Sequence, residues 1–238
     1  MSDSVRCPER TLGVLGGMGP AAAAEFLRLL ARDAPAGKDQ EHPRLLMLSE
    51  PSIPDRSDGI MGLGKDPSPL LRRSLECLVE WGAELLAVPC NTAHYFIDQF
   101  RAELGAPLVH IVEVTVEEAR RRSPEGAWLL ATSGTLLSGI YPSCAERFGY
   151  VLHQPSEAQQ AKVQESLRFV KAGDRAGAGQ VLREVVEELW GERDLTVITA
   201  CTELPLAYAA SGLPQAREVS SLQALSDACL RALYEERG

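Results

Sequence analysis

A short apolar run that ends in a cysteine and then reaches a hydroxyl residue occurs twice in this chain. The first copy reads Leu85-Leu86-Ala87-Val88-Pro89-Cys90-Asn91-Thr92, and the second Leu195-Thr196-Val197-Ile198-Thr199-Ala200-Cys201-Thr202. Short apolar runs without polar interruption mark strands buried on both faces, as in a parallel sheet covered by helices. A helix-compatible segment follows each copy, so each cysteine falls at the carboxyl end of a strand. Open α/β sheets bind ligands there, beside the amides that start the next helix. A fold that carries this device twice can bring two thiols to face each other across one small molecule. That arrangement suits the movement of protons.

The rest of the chain alternates in the same way. Strands are predicted over 11–16, 44–49, 84–89, 108–110, 127–132, 150–153 and 194–200. Helices are predicted over 21–33, 69–81, 93–104, 112–122, 157–172, 175–190 and 221–236. Alternation of this kind implies βαβ units and a mostly parallel sheet, an α/β fold. The repeated strand–cysteine element implies two related halves, with a break near Gly105-Ala106-Pro107. The final helix is expected to pack back on the first half. That gives a first domain of 1–105 plus 215–238 and a second of 106–214. The stretch 50–69, rich in proline and glycine and without periodicity, reads as a long irregular loop of the kind that often serves binding.

Composition narrows the possible partners. A net charge of −9 argues against nucleic acid and acidic membrane surfaces. The run Arg120-Arg121-Arg122 suits the solvated end of a helix, where cations oppose the dipole. No apolar stretch approaches a bilayer span and no leader is apparent, so the chain reads as cytoplasmic. Six cysteines in 238 residues are too sparse for a disulfide scaffold. Without a CxxC pair, a zinc site has little support. Cys77 and Cys229 fit amphipathic helices as small core residues, Cys7 a polar tail, and Cys144 a turn or helix start.

Other motifs have plain readings beside chemical ones. Gly16-Gly17-Met18-Gly19-Pro20 leaves a strand and enters a helix, so its backbone can approach an anionic ligand. It is equally a tight turn, and its spacing is not that of a dinucleotide site. Gly62-Leu63-Gly64-Lys65-Asp66 lacks the hydroxyl and spacing of a phosphate loop. Asn91, the chain's one asparagine, directly follows Cys90 and can serve as a helix N-cap together with Thr92. His94 lies four residues after Cys90, but such a Cys–His pair on one helical turn has poor geometry for nucleophilic catalysis. His42, His110 and His153 read as structural or surface residues.

Taken together, several of these segments resemble the aspartate/glutamate racemase family. They are Gly-Gly-Met-Gly-Pro at 16–20, Ile53-Pro54-Asp55-Arg56, Pro89-Cys90-Asn91-Thr92-Ala93-His94, Ala131-Thr132-Ser133-Gly134-Thr135, Lys171-Ala172-Gly173 and Cys201-Thr202-Glu203-Leu204. The resemblance spans nearly the whole chain in the right order. It implies two pseudo-symmetric α/β domains, each a mostly parallel sheet flanked by helices, with the active site in the cleft between them. It also implies a homodimer that racemises a small-molecule amino acid, aspartate or glutamate, without pyridoxal phosphate or metal. Carried over, Cys90 and Cys201 are the acid/base thiols, and Arg56 and Lys171 the contacts to substrate carboxylate. Asn91, Thr92, Thr132 and Thr202 hydrogen-bond the α-carboxylate and amino group, while Met18 and Glu203 complete the substrate-binding set.

Two departures leave the substrate open. Glu50 stands before Pro51 where aspartate racemases usually have asparagine, and Leu167 stands where a tyrosine often precedes the helix lysine. A carboxylate inside the pocket would repel an acidic substrate. Glu50 therefore either turns to solvent or signals a neutral or cationic amino acid. A maleate-isomerase-like reaction would also use two cysteines, a related decarboxylase would need one, and a silent binding protein would need neither.

Overall fold

The computed structural model describes residues 7–235, and within them short strands alternate with helices along the chain. The first half runs β1 (Leu12–Gly16), α1 (Pro20–Asp33), β2 (Leu45–Ser49), α2 (Arg56–Met61), α3 (Ser68–Glu80), β3 (Leu85–Ala87), α4 (Ala93–Ile97) and β4 (Leu108–Val109). Helix α5 (Ile111–Arg122) leads into β5 (Ala127–Leu130), α6 (Ser133–Ser138), α7 (Ile140–Arg147), β6 (Leu152–His153) and α8 (Glu157–Lys171). The chain ends through α9 (Arg175–Glu192), β7 (Thr196–Thr199), α10 (Leu204–Ser211), β8 (Glu218–Ser220) and α11 (Ser221–Tyr234).

The strands form two four-stranded sheets, ordered β2-β1-β3-β4 and β6-β5-β7-β8, and every neighbouring pair is parallel. The same order occurs twice, so the halves are pseudo-symmetric. Residues of the inner strands β1, β3, β5 and β7 alternate between two buried faces, which explains why those runs read as continuously apolar. Leu12 and Val14, Leu85 and Ala87, Ala127 and Leu129, and Ile198 all enter one central core shared by both sheets with α1, α5 and α11. Their neighbours Leu15 and Leu86 face an outer core with α3 and α4. Trp128, Leu130 and Val197 face another with α8, α9 and α10.

All seven predicted strands are present, trimmed at their ends. The eighth, Glu218–Ser220, was not predicted, being three residues that carry a buried glutamate rather than an apolar run. By sheet membership the expected boundaries at 105/106 and 214/215 each fall one strand too early. Leu108–Val109 pairs with β3 in the first sheet, and Glu218–Ser220 with β7 in the second. Each half thus covers the open edge of its third strand with a fourth before the chain leaves it. The helix that follows then crosses over: α5 packs on α7, β7 and β8, while α11 packs on α1 and on α5. Gln223 ties α11 to α1, accepting from Arg32 at 2.8 Å and donating to Asp33 at 2.8 Å.

Helices α2, α6, α7 and α10 were not delimited in advance. Three are short, and α10 is apolar all round, so none offers a clear amphipathic period. The helix predicted over 93–104 ends at Ile97. Asp98 then turns its carboxylate to His110 at 3.1 Å and Arg101 at 3.2 Å. The expected end of the last helix, Glu236, lies outside the described residues.

Candidate active site

The strand alternation continues past the strand ends and sets the two cysteines. Leu86, Val88 and Cys90 share the outer core of the first half, and Val197 and Cys201 that of the second. The sulfur-bearing residues are therefore equivalent by register, at the carboxyl ends of the third strand in each sheet. Cys90 is 6% exposed and Cys201 8%, and both line a single cavity of about 490 Å³. The eight other residues expected at the site, Met18, Arg56, Asn91, Thr92, Thr132, Lys171, Thr202 and Glu203, line that cavity too.

Two close backbone approaches shape it. Gly17 has φ +97°, and a Cβ there would sit 2.5 Å from the Glu50 carbonyl carbon, so the loop after β1 can cross the loop after β2 only as glycine. Gly134 performs the same service between halves, since a Cβ would overlap Ser57 as α2 lies on α6. Helix α2 begins with Arg56, capped by Asp55, whose carboxylate accepts from the amides of Ser57 at 2.8 Å and Asp58 at 3.0 Å. The Arg56 guanidinium donates to the carbonyls of Pro54 at 3.2 Å, Ile53 at 3.4 Å and Met18 at 3.4 Å, and its buried Nε has no partner among the described residues.

From the second half come Lys171, which closes α8, and Arg175, which opens α9 across a turn at Gly173. The cavity thus carries Arg56, Lys171 and Arg175 against Asp55 and Glu203. The starts of α1 and α10 also border it through Gly19, Pro20, Thr202 and Glu203, and helix N-termini favour anions. Thr92 reaches across the halves to Thr135 at 2.7 Å, and Thr132 to Thr135 at 2.9 Å.

The Cys201 sulfur lies 3.8 Å from Glu203 Oε2. Burial pushes its thiol up to about 12; the Glu203 carboxylate and the Cys90 sulfur add to this, while the Glu203 amide and Lys171 oppose it. A thiol raised that far is protonated at neutral pH.

Three expectations are refined. Neither Asn91 nor Thr92 caps α4 with its side chain. The Asn91 carboxamide instead accepts from Tyr141 at 2.6 Å and donates to Ser221 at 2.9 Å. Glu50 stays out of the cavity, its carboxylate taken by the hydroxyl and amide of Ser52 at 2.5 and 3.1 Å. His94 turns its Nδ1 to the Cys90 carbonyl at 2.9 Å, not to the sulfur, and burial with His110 beside it drives its pKa down to about 3. It stacks edge-on against His110 and lines no part of the cavity. Leu167 is buried in the outer core of the second half.

Asp55, Ser57 and Arg175 also line the cavity and were not singled out beforehand. The first two flank Arg56 in a segment already of interest. Arg175 follows an N-cap aspartate and reads locally as a solvated helix residue.

Two copies of one α/β half, each bringing a cysteine to a cation-lined cavity, define an α/β fold with a two-thiol cavity. The sequence profile of the Asp/Glu/hydantoin racemase family matches residues 15–226. The chain is 26% identical over 197 residues to the broad specificity amino-acid racemase RacX of Bacillus subtilis (strain 168), covering 81% of this chain and 85% of that one. Among solved structures, it superposes on the aspartate racemase of Picrophilus torridus with a TM-score of 0.82 at 25% identity, over 94% of both chains. An aspartate racemase homologue from Pyrococcus horikoshii OT3 shares the fold with a TM-score of 0.74 at 22% identity, covering 95% of this chain and 100% of that one. The protein belongs to the Asp/Glu/hydantoin racemase family and is an isomerase. Among the described residues, no helix is long and apolar enough to cross a membrane.

Proposed function

We propose that this protein is a cofactor-independent racemase of an acidic amino acid, aspartate or glutamate, working by two-base proton transfer between Cys90 and Cys201. The observation that carries the reading is the meeting of both thiols with Arg56 and Lys171 around one cavity. Inverting a stereocentre through one deprotonation needs a base on one face and an acid on the other. Cys201, held protonated by burial and by Glu203, supplies the acid of the resting enzyme. Acting as the base, Cys90 takes the Cα proton, the electron pair is left on Cα, and the Cys201 S–H delivers a proton to the opposite face. Cys90 then ends as thiol and Cys201 as thiolate, which is the arrangement the reverse direction requires.

The carbanion needs fixed donors around its carboxylate. The hydroxyls of Thr92, Thr132 and Thr202 and the amides opening α1 and α10 supply them, with Asn91 bordering the same space. Arg56 and Lys171 take the side-chain carboxylate. Glu50, engaged by Ser52 outside the cavity, places no charge against an acidic substrate. The protein is proposed to act in the cytoplasm as a homodimer.

Incubation with L-aspartate and L-glutamate in deuterium oxide, without added cofactor, is expected to yield D-isomer with deuterium at Cα. Absence of both products across an amino-acid panel sinks the proposal. Cys90→Ser and Cys201→Ser are each expected to abolish inversion. A broader substrate range is a second reading, favoured by the similarity to a racemase named for broad specificity. Neutral and cationic amino acids in the same panel test it, and following maleate absorbance tests the isomerase alternative.

A further inference from the structure

The carboxamide of Asn91, next to Cys90, is held entirely from the other half of the chain. Tyr141 Oη donates to Asn91 Oδ1 at 2.6 Å, and Asn91 Nδ2 donates to Ser221 Oγ at 2.9 Å. Ser221 Oγ in turn donates to the carbonyl oxygen of Thr199 at 2.9 Å, two residues before Cys201. All three donors point one way along the chain, so each bond polarises the next in a dry interior. Tyr141 and Ser221 have no exposed surface and do not line the cavity, so neither can touch a substrate. The Ser221 hydroxyl is not needed to start α11 either, because Ser220 caps that helix by accepting from the Gln223 amide at 3.2 Å.

What the hydroxyl does join is the side chain of the residue next to Cys90 to the backbone carbonyl two residues before Cys201. We propose that Ser221, steadied through Asn91 by Tyr141, is a positioning residue that sets the separation of Cys90 and Cys201 across the substrate. The inference rests on the two-thiol reading above. Inversion needs both sulfurs within reach of Cα in the same complex, whereas exchange of the Cα hydrogen with solvent needs one. A loosened Ser221 link lets a single thiol remove the proton and return a solvent-derived one to the same face. Racemisation then suffers more than exchange.

The test uses the full-length protein and its Ser221→Ala and Tyr141→Phe variants, in deuterium oxide, starting from one pure enantiomer of the best substrate. Cα deuteration is read by NMR and inversion by chiral chromatography on the same samples. Misplacement of a reacting group by about 1 Å costs on the order of 10²-fold, so inversion by Ser221→Ala should fall by about that factor. Exchange should fall by less than about tenfold and KM stay within about threefold, because neither Ser221 nor Tyr141 lines the cavity. The exchange-to-inversion ratio therefore rises by at least about tenfold. Tyr141→Phe removes one oxygen at the far end of the chain and should shift the ratio the same way, which keeps the test open if Ser221→Ala does not fold. An unchanged ratio in a folded variant, or an equal fall of both rates with raised KM, overturns the positioning role while leaving the two-thiol reading standing. A wild-type protein that neither exchanges nor inverts any substrate overturns both.

Discussion

Replacing Glu218 by glutamine should make the protein more stable above neutral pH and leave it nearly unchanged in acid. Glu218 is 6% exposed in β8, and burial raises its carboxyl from 4.5 to about 7 against the opposing pulls of Thr199 and Arg122. Thr199 Oγ1 donates to Glu218 Oε1 at 2.8 Å, and Arg122 takes the residue's backbone carbonyl at 2.6 Å, with the Tyr208 phenol nearby. A carboxyl whose folded pKa is raised contributes stability that is complete below 4.5, falls as pH rises towards 7 and is gone above it. At about 1.4 kcal/mol per pH unit, the wild type should lose about 3 kcal/mol relative to Glu218→Gln across that window. The variant keeps the acceptor oxygen for Thr199 and never ionises. Every other titrating group is common to both proteins, so urea unfolding of the pair at 25 °C, from pH 4.5 to 8.5, isolates this one. The thermal counterpart is a gap of roughly 6–12 °C in Tm opening above pH 7. Wild-type and variant curves that stay parallel within about 1 kcal/mol refute the reasoning.

Three further outcomes follow from the site. Iodoacetamide at pH 8 should label exposed Cys7 well before Cys201, whose thiol is pushed up to about 12, since only the thiolate reacts; prompt labelling of Cys201 in a mass-spectrometric time course contradicts this. Lys171→Met removes an exposed cation from the cavity wall, so KM for an acidic substrate should rise about 10–100-fold while stability stays within about 0.5 kcal/mol. Steady-state kinetics with a chemical denaturation curve check both halves of that statement. Gly134→Ala drives a methyl into Ser57 and should displace α2 with Arg56. Weaker binding of acidic substrates in a folded protein is the expected result, and unchanged kinetics would mean that α2 absorbs the shift elsewhere.

The two cysteines and their strands were legible because the signal is local: an apolar run, a thiol and a helix-compatible continuation, written twice. The cation set was legible only in part. Arg56 and Lys171 lie in segments with a family likeness, whereas Arg175 looks like any solvated residue opening a helix and gains meaning only because the turn at Gly173 returns it to the cavity. Glu50 was ambiguous for the opposite reason. It stands six residues before Arg56, which lines the cavity, but a local bond to Ser52 holds its carboxylate outside. The eighth strand escaped notice because a three-residue strand with a buried glutamate carries no apolar period.

Sequence by itself determined the α/β class and the doubling of the cysteine-bearing strand, since strand burial depends on near neighbours, and its family likeness pointed to ten residues that line one cavity. Only the tertiary structure decided which strand completes each sheet, where α5 crosses between halves, and that a line of hydrogen bonds from Tyr141 to Thr199 runs between the two thiol loops. Those features join positions 91, 141, 199 and 221. No local pattern encodes such pairings, because they exist only once burial has forced distant polar groups to satisfy one another.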